Sequence, residues 1–330
     1  MTAATDSLAK PVPQAMSLRG RLPRIVGRFA VWLTLALLLV VGTIMSPVFL
    51  TPSNLLNVLG QSSIVGIAAI GTTYVGLLGG VDVSNGAVLT AAAVAAAAVM
   101  QGRDGAILPA LAVAIVLGAL VGFLNGLLIA RWRVNPLILT LGVGAAILGA
   151  TELYTGGTDL GNVATGFTDA LGGRIGAVPI LGLVFLALAA LGILIQRTTA
   201  FGSRLYLVGA NPRAAALSGV QVNAVIIGAY VASGITASLA GLAFLARSGP
   251  PSDFTGMGLE FQVLAAIVLG GTTFAGGIGG IGGTVAGALA LALSFNLVNI
   301  IGLGTGGQLI VQGAVIVGIA ALYSLVRPRQ

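Results

Sequence analysis

Neither cysteine nor histidine occurs in the 330 residues. The first absence excludes disulfides, thiolate nucleophiles, iron–sulfur clusters and Cys-ligated zinc. The second removes imidazole bases, imidazole proton relays and haem ligation through His. No metal centre is therefore expected. Lysine is nearly missing too, with Lys10 alone in the whole chain. No Gly-x-x-x-x-Gly-Lys-Ser/Thr loop can be written, so the chain is not expected to hydrolyse ATP by itself. Charge of either sign is scarce: 15 Lys and Arg with 8 Asp and Glu make 7% of the residues, against roughly 25% in a soluble protein. Such a chain cannot cover a water-facing surface.

What is present points the same way. Hydrophobic residues make up 57% of the chain, and 51 glycines are spread through the apolar stretches. With only 12 prolines, the composition is neither collagen-like nor disordered. It is that of an all-α polytopic membrane protein.

A helix needs about 20 apolar residues to cross about 30 Å of hydrocarbon. That rule predicts spans at 29–50, 54–79, 86–101, 106–130, 136–153, 177–196, 221–247, 260–271, 282–301 and 308–326. About ten segments are expected, at least one of them broken, because the eighth is short and the second is overlong and interrupted by glycine. The first is read as an uncleaved span: its apolar run is too long for a signal core, and Met45-Ser46-Pro47 is a poor cleavage site. The organisation is then a basic tail at 1–28, one transmembrane domain at 29–326 and a short end at 327–330.

The charges test this map. Twelve of the fifteen Lys and Arg residues fall on one side, and only Arg103, Arg174 and Arg247 on the other. This is the positive-inside asymmetry, and it predicts both termini in the cytoplasm. It also accounts for the net charge of +7 without invoking nucleic acid.

Two loops stand out. Residues 154–176 form a polar, Gly-rich outer loop long enough to meet a partner. Residues 197–220 form a basic inner loop, in which Asn211-Pro212-Arg213 opens like a short helix: Asn211 as N-cap, Pro212 in the first turn, Gly219 as the stop. A short helix lying beside the membrane has the character of a docking element.

Gly118, Gly122 and Gly126 recur every four residues. They permit close helix approach, either within the chain or between subunits. Gly277, Gly279 and Gly282 match a dinucleotide-binding spacing, but there is no βαβ context and no acid after Glu260. Glycine at this density instead unwinds or bends helices, and irregular backbone at membrane depth must be buried or line a wet cavity. Polar residues mark a candidate substrate path. Asp82 lies between two spans near one membrane edge and fits a structural cap as well as a functional contact. Asn125, Thr140, Ser233, Thr236, Asn296 and Asn299 lie within spans. They fit interhelical hydrogen bonds or one uncharged passage for a neutral polyhydroxylated cargo. No acid–base or metal constellation for a membrane enzyme can be assembled from these residues.

Four blocks closely resemble the permease subunits of ribose-type carbohydrate ATP-binding-cassette importers. They are TPSNLLNVLGQSSIVGIAAIGTTYVGLLGGVDVSNGA (51–87), GFLNGLLIARWRVNPLILTLG (122–142), LVGANPRAAALSGV (207–220) and LEFQVLAAIVLGGTTFAGGIGGIGGT (259–284). They stand in family order over most of the chain.

The resemblance implies a fold like that of the vitamin B12 importer permease. It implies a second permease copy or paralogue, an extracytoplasmic sugar-binding protein and a cytoplasmic ATPase that carries ATP and magnesium, with no cofactor on this chain. It makes Gly209, Asn211, Pro212, Arg213, Ala215, Ser218 and Gly219 the element that couples to the ATPase. Asp82, Asn85, Asn125, Thr140, Ser233 and Asn296 become candidates for the substrate pathway. Gly118, Gly122, Gly126, Gly277 and Gly279 become packing positions.

Two positions depart from the family pattern: Ile278 stands where a basic residue is common, and Asn85 replaces a small apolar residue. The branched-chain amino-acid permeases share related Gly-rich blocks and are the nearest alternative. An ion-coupled secondary transporter is a further one, although such proteins hold acids or His inside their spans.

Overall fold

The computed structural model describes residues 32, 34–158, 161–251 and 255–326. The basic tail 1–28 and the end 327–330 lie outside the described residues.

In lipid every backbone N–H and C=O must find its partner within the chain, so apolar runs become helices. The first of them is α1 (Thr34–Met45). Next come α2 (Pro52–Leu77), α3 (Asn85–Met100), α4 (Ile107–Trp132) and α5 (Pro136–Thr155). After a short α6 (Thr165–Phe167) and a π turn at Thr168–Gly172, strands Arg174–Ile175 and Val178–Pro179 form a small antiparallel hairpin. There follow α7 (Ile180–Thr198), α8 (Ala200–Ala210), α9 (Pro212–Leu217), α10 (Val222–Ser248), α11 (Leu259–Leu269), α12 (Ile281–Ile300) and α13 (Gly304–Val326). Among the described residues, six helices are long and apolar enough to span a bilayer, with α1, α3 and α11 as shorter apolar helices.

Local chemistry sets the boundaries. Thr51 caps α2, accepting from Asn54 N at 3.4 Å, and Pro52 occupies the first turn, where no N–H is needed. Asn135 caps α5 in the same way, accepting from Leu137 N at 3.0 Å and Ile138 N at 3.4 Å ahead of Pro136. α2 runs 26 residues without a break, about 39 Å at 1.5 Å per residue. Its glycines do not interrupt it; they serve neighbours instead. A Cβ at Gly66 would overlap the Phe185 ring, and one at Gly71 would overlap Ala232 O. The break falls elsewhere. α11 has 11 residues, about 16 Å or half a membrane, and no helix or strand occupies 270–280.

α2, α10 and α12 form the centre: 61%, 56% and 67% of their most apolar stretches are buried, against 22% and 17% in the spans that contain α4 and α5. The three Gly-x-x-x-Gly positions of α4 pack within the chain, against α10. A Cβ at Gly118 would overlap Gly234 O, one at Gly122 would overlap Tyr230 O, and one at Gly126 would lie 2.7 Å from Ile227 Cα. Polar stitches tie the centre together. Thr73 and Thr284 share a hydrogen bond of 2.7 Å between α2 and α12, and Tyr74 Oη donates to Gly192 O of α7 at 2.8 Å.

Candidate functional site

The residues singled out as candidates fall into three places. The first is a buried polar cluster around the non-helical stretch 79–84, between α2 and α3. Asp82, Asn85, Asn125, Thr140 and Ser233 meet here, each 0–2% exposed. Asp82 Oδ1 accepts from Ser84 N at 3.0 Å and from Ser84 Oγ at 2.6 Å; its Oδ2 accepts from Ser233 Oγ at 2.7 Å. Asn125 Nδ2 of α4 donates to Ser84 Oγ at 3.0 Å, and Thr140 Oγ1 of α5 accepts from Val83 N at 3.2 Å. Asn85 Nδ2 donates to Asp82 O at 3.0 Å and Thr72 Oγ1 at 3.3 Å. Tyr230 Oη of α10 donates to Val81 O at 3.2 Å.

Four helices thus supply the partners that an irregular stretch cannot find in lipid. Three donors converge on one carboxylate, which holds 79–84 as a latch between α2, α4, α5 and α10. Thr72, Ser84 and Tyr230 were not among the residues picked from the sequence. Ser84 was detectable there as the residue two after Asp82, whose backbone N–H an Asp side chain takes up in an Asx-turn. Thr236 lies beside this cluster and donates to Ala68 O at 3.3 Å and Ser233 O at 3.1 Å.

Asn296 is not part of the cluster. It exchanges reciprocal 2.9 Å hydrogen bonds with Asn54, joining α12 to the start of α2. Asn299 accepts from Gln308 Nε2 at 2.9 Å at the α12–α13 corner.

The second place is the loop 197–220. α8, unforeseen in sequence, occupies its first half. Thr199 caps α8, accepting from Gly202 N at 3.2 Å. Asn211 ends α8 and caps α9, its Oδ1 accepting from Arg213 N at 3.1 Å and Ala214 N at 3.0 Å. Pro212 fills the first turn, and Gly219 turns the chain at φ +80°. Of the residues in α9 only Ala215 is buried, at 4% exposed, while Leu217 stands 92% exposed and Arg213 is exposed as well. Ser218 Oγ donates to Ala214 O at 3.0 Å. α9 is thus a capped helix held by one small side chain, with its arginine and leucine exposed.

The third is the Gly-rich stretch 270–280. Gly277 and Gly279 lie in this non-helical segment rather than on a helix face. Gly277 faces Ala210 of α8, Gly279 faces Thr272, and Gly277 N donates to Leu77 O at 2.8 Å. The departure at Ile278 is 59% exposed. No group of three or more His, Cys, Asp or Glu side chains that could hold a metal ion occurs among the described residues.

A family model described as the branched-chain amino acid transport system / permease component matches residues 54–320. The chain is 38% identical over 295 residues to the ribose import permease protein of Escherichia coli K12, covering 86% of this chain and 89% of that protein. It is 36% identical over 294 residues to the ribose import permease protein of Bacillus subtilis 168, with the same coverage. It is 32% identical over 313 residues to the galactose/methyl galactoside import permease protein of Escherichia coli K12, covering 89% of this chain and 93% of that one. No solved structure matches. The resemblance read from the four sequence blocks therefore holds, and the chain belongs to the family of the branched-chain amino acid transport system / permease component.

Proposed function

We propose that the chain is the membrane-spanning permease subunit of an ATP-binding-cassette importer for a ribose-like monosaccharide. The observation that carries this reading is similarity to proteins named as ribose import permeases, at 38% and 36% identity over 86% of the chain. The outward-facing α9 supports it: a chain without a phosphate-binding loop presents a docking helix for a partner that has one.

In this reading α9 sits on a cytoplasmic ATPase that holds ATP and magnesium, and both termini lie on that side. A second permease copy or paralogue completes the passage, and a sugar-binding protein docks on the opposite face. The segments crossing the membrane number about ten, with α11 a half-helix, in the manner of the vitamin B12 importer permease. Nucleotide shifts the equilibrium between inward- and outward-open states only through its different affinity for the two motor states.

The family description names branched-chain amino acids, so the test must separate the two cargoes. Proteoliposomes holding the chain with its ATPase and binding protein are given radiolabelled ribose, with galactose or leucine as competitor. Uptake that needs ATP and falls with the sugar competitor supports the proposal; competition by leucine alone refutes the sugar assignment.

A further inference from the structure

The exposed α9 is useful to a transporter only if its displacement reaches the membrane-buried part of the chain. The contacts behind it supply a route. α9 and α8 meet at Asn211, which ends one and caps the other, so the pair is a bent but continuous lever. Two residues before that corner, α8 carries Gly209 against two other backbones. A Cβ on Gly209 would overlap Leu77 O at the end of α2 and lie 2.6 Å from Gly277 N. The fit is reciprocal: a Cβ on Gly276 would overlap Gly209 O, and one on Gly277 would lie 3.2 Å from Ala210 Cα. Gly276 and Gly277 both have positive φ, +82° and +70°, so this turn accepts glycine without strain.

Beside this key is a side-chain clamp. Tyr206 Oη of α8 donates to Gly279 O at 2.8 Å and accepts from Gln196 Nε2 of α7. Gln196 Oε1 in turn accepts from Ile281 N at 3.1 Å, the first residue of α12. That helix has no side-chain cap of its own, so an amide from α7 takes its place. Gln196 is 8% exposed.

We propose that Gln196, Tyr206 and Gly209 are positioning residues that lock α8 to the 270–280 segment and the start of α12, so that motion of the docking helix is delivered into the Gly-rich break as one rigid body. This rests on the permease reading. Backbone packed on backbone has no rotatable side chain to absorb a displacement, and the clamp ties the segment's far end to the same lever. Such an element is a contiguous packed unit of the kind through which coupling can travel.

Two variants test it in proteoliposomes containing the complete transporter. Tyr206→Phe removes one hydroxyl and little volume. It should leave ATPase binding and ATP turnover in place while sugar delivered per ATP falls about two- to tenfold, the factor that one lost hydrogen bond corresponds to. An unchanged ratio of sugar to ATP would overturn the proposal.

The second variant pairs Ala210→Cys with Gly277→Cys in this cysteine-free chain. A Cβ on Gly277 would lie 3.2 Å from Ala210 Cβ, a few tenths of an ångström short of the disulfide range of about 3.5–4.5 Å, and because φ at Gly277 is +70° the oxidised form is compared with the same variant reduced. If α8 and the segment travel together, the oxidised form keeps its uptake. Uptake lost on oxidation and restored by reductant would mean that they part during the cycle, and the lock would be refuted. Failure of the permease reading looks different: the unaltered chain would then neither bind the ATPase nor support uptake.

Discussion

At the scale of single residues the consequences follow from who is left without a partner. Asp82 takes three donated hydrogen bonds at 2% exposure. Asp82→Ala strands those donors, at about 1–3 kcal/mol for each buried group left unsatisfied. The variant should unfold at a clearly lower temperature in detergent, and Asp82→Asn, which keeps an acceptor oxygen, should lose less. Equal melting of the two variants would remove the latch role. The Asn54–Asn296 pair allows a cleaner experiment. Either Asn→Leu change alone leaves a buried amide facing a methyl group, whereas the double change removes both polar groups at once. A thermal double-mutant cycle should therefore show the pair of changes costing less than their sum. Strict additivity would mean that the 2.9 Å contacts carry no coupling.

Helices respond to substitution according to which neighbour they face. Gly122→Leu places atoms on the Tyr230 backbone, while nothing lies within 4 Å of a Cβ at Gly142. The first change should separate α4 from α10 and lower the yield of folded protein. Gly142→Leu should be accommodated, and comparable size-exclusion profiles for the two would contradict the packing described. At the docking helix, a Cβ on Gly219 meets open space, but φ is +80°. Gly219→Ala should cost only about 1–2 kcal/mol of backbone strain. Gly219→Trp adds bulk on the side where the proposed ATPase would approach, so uptake should be abolished with membrane insertion intact. Equal uptake by the Ala and Trp forms would argue against docking there.

Much of this was legible beforehand. The predicted spans 136–153, 177–196 and 221–247 fall within a few residues of α5, α7 and α10, because lipid permits little but helix for such runs and proline, asparagine and arginine mark their ends. The α9 cap was legible because Asn-Pro is a local signal. α8 was not, since its amphipathic helix lies in a stretch read only for charge. Nor was the continuity of α2, because glycine in a span shows that something comes close without saying what. Asn54 as partner of Asn296 was out of reach for a similar reason: local pattern carries no information about a contact 242 residues away.

The described residues form a helical core of α2, α10 and α12, with one irregular segment latched by Asp82 and another packed on α8 at Gly209. No phosphate-binding loop can be written in the chain's sequence. Its described interior acid, Asp82, is occupied by three protein donors, which leaves it ill suited to carry protons or sodium through a cycle. Transport by this chain should accordingly follow nucleotide and ignore ion gradients. The most direct measurement compares two sets of proteoliposomes with proton and sodium gradients collapsed, one with the chain alone and one with its ATPase and binding protein added. The account predicts ATP-dependent sugar uptake in the complete set and none in the other. Solute accumulation by the chain alone under an ion gradient, or loss of uptake in the complete set when the gradients are collapsed, would contradict it.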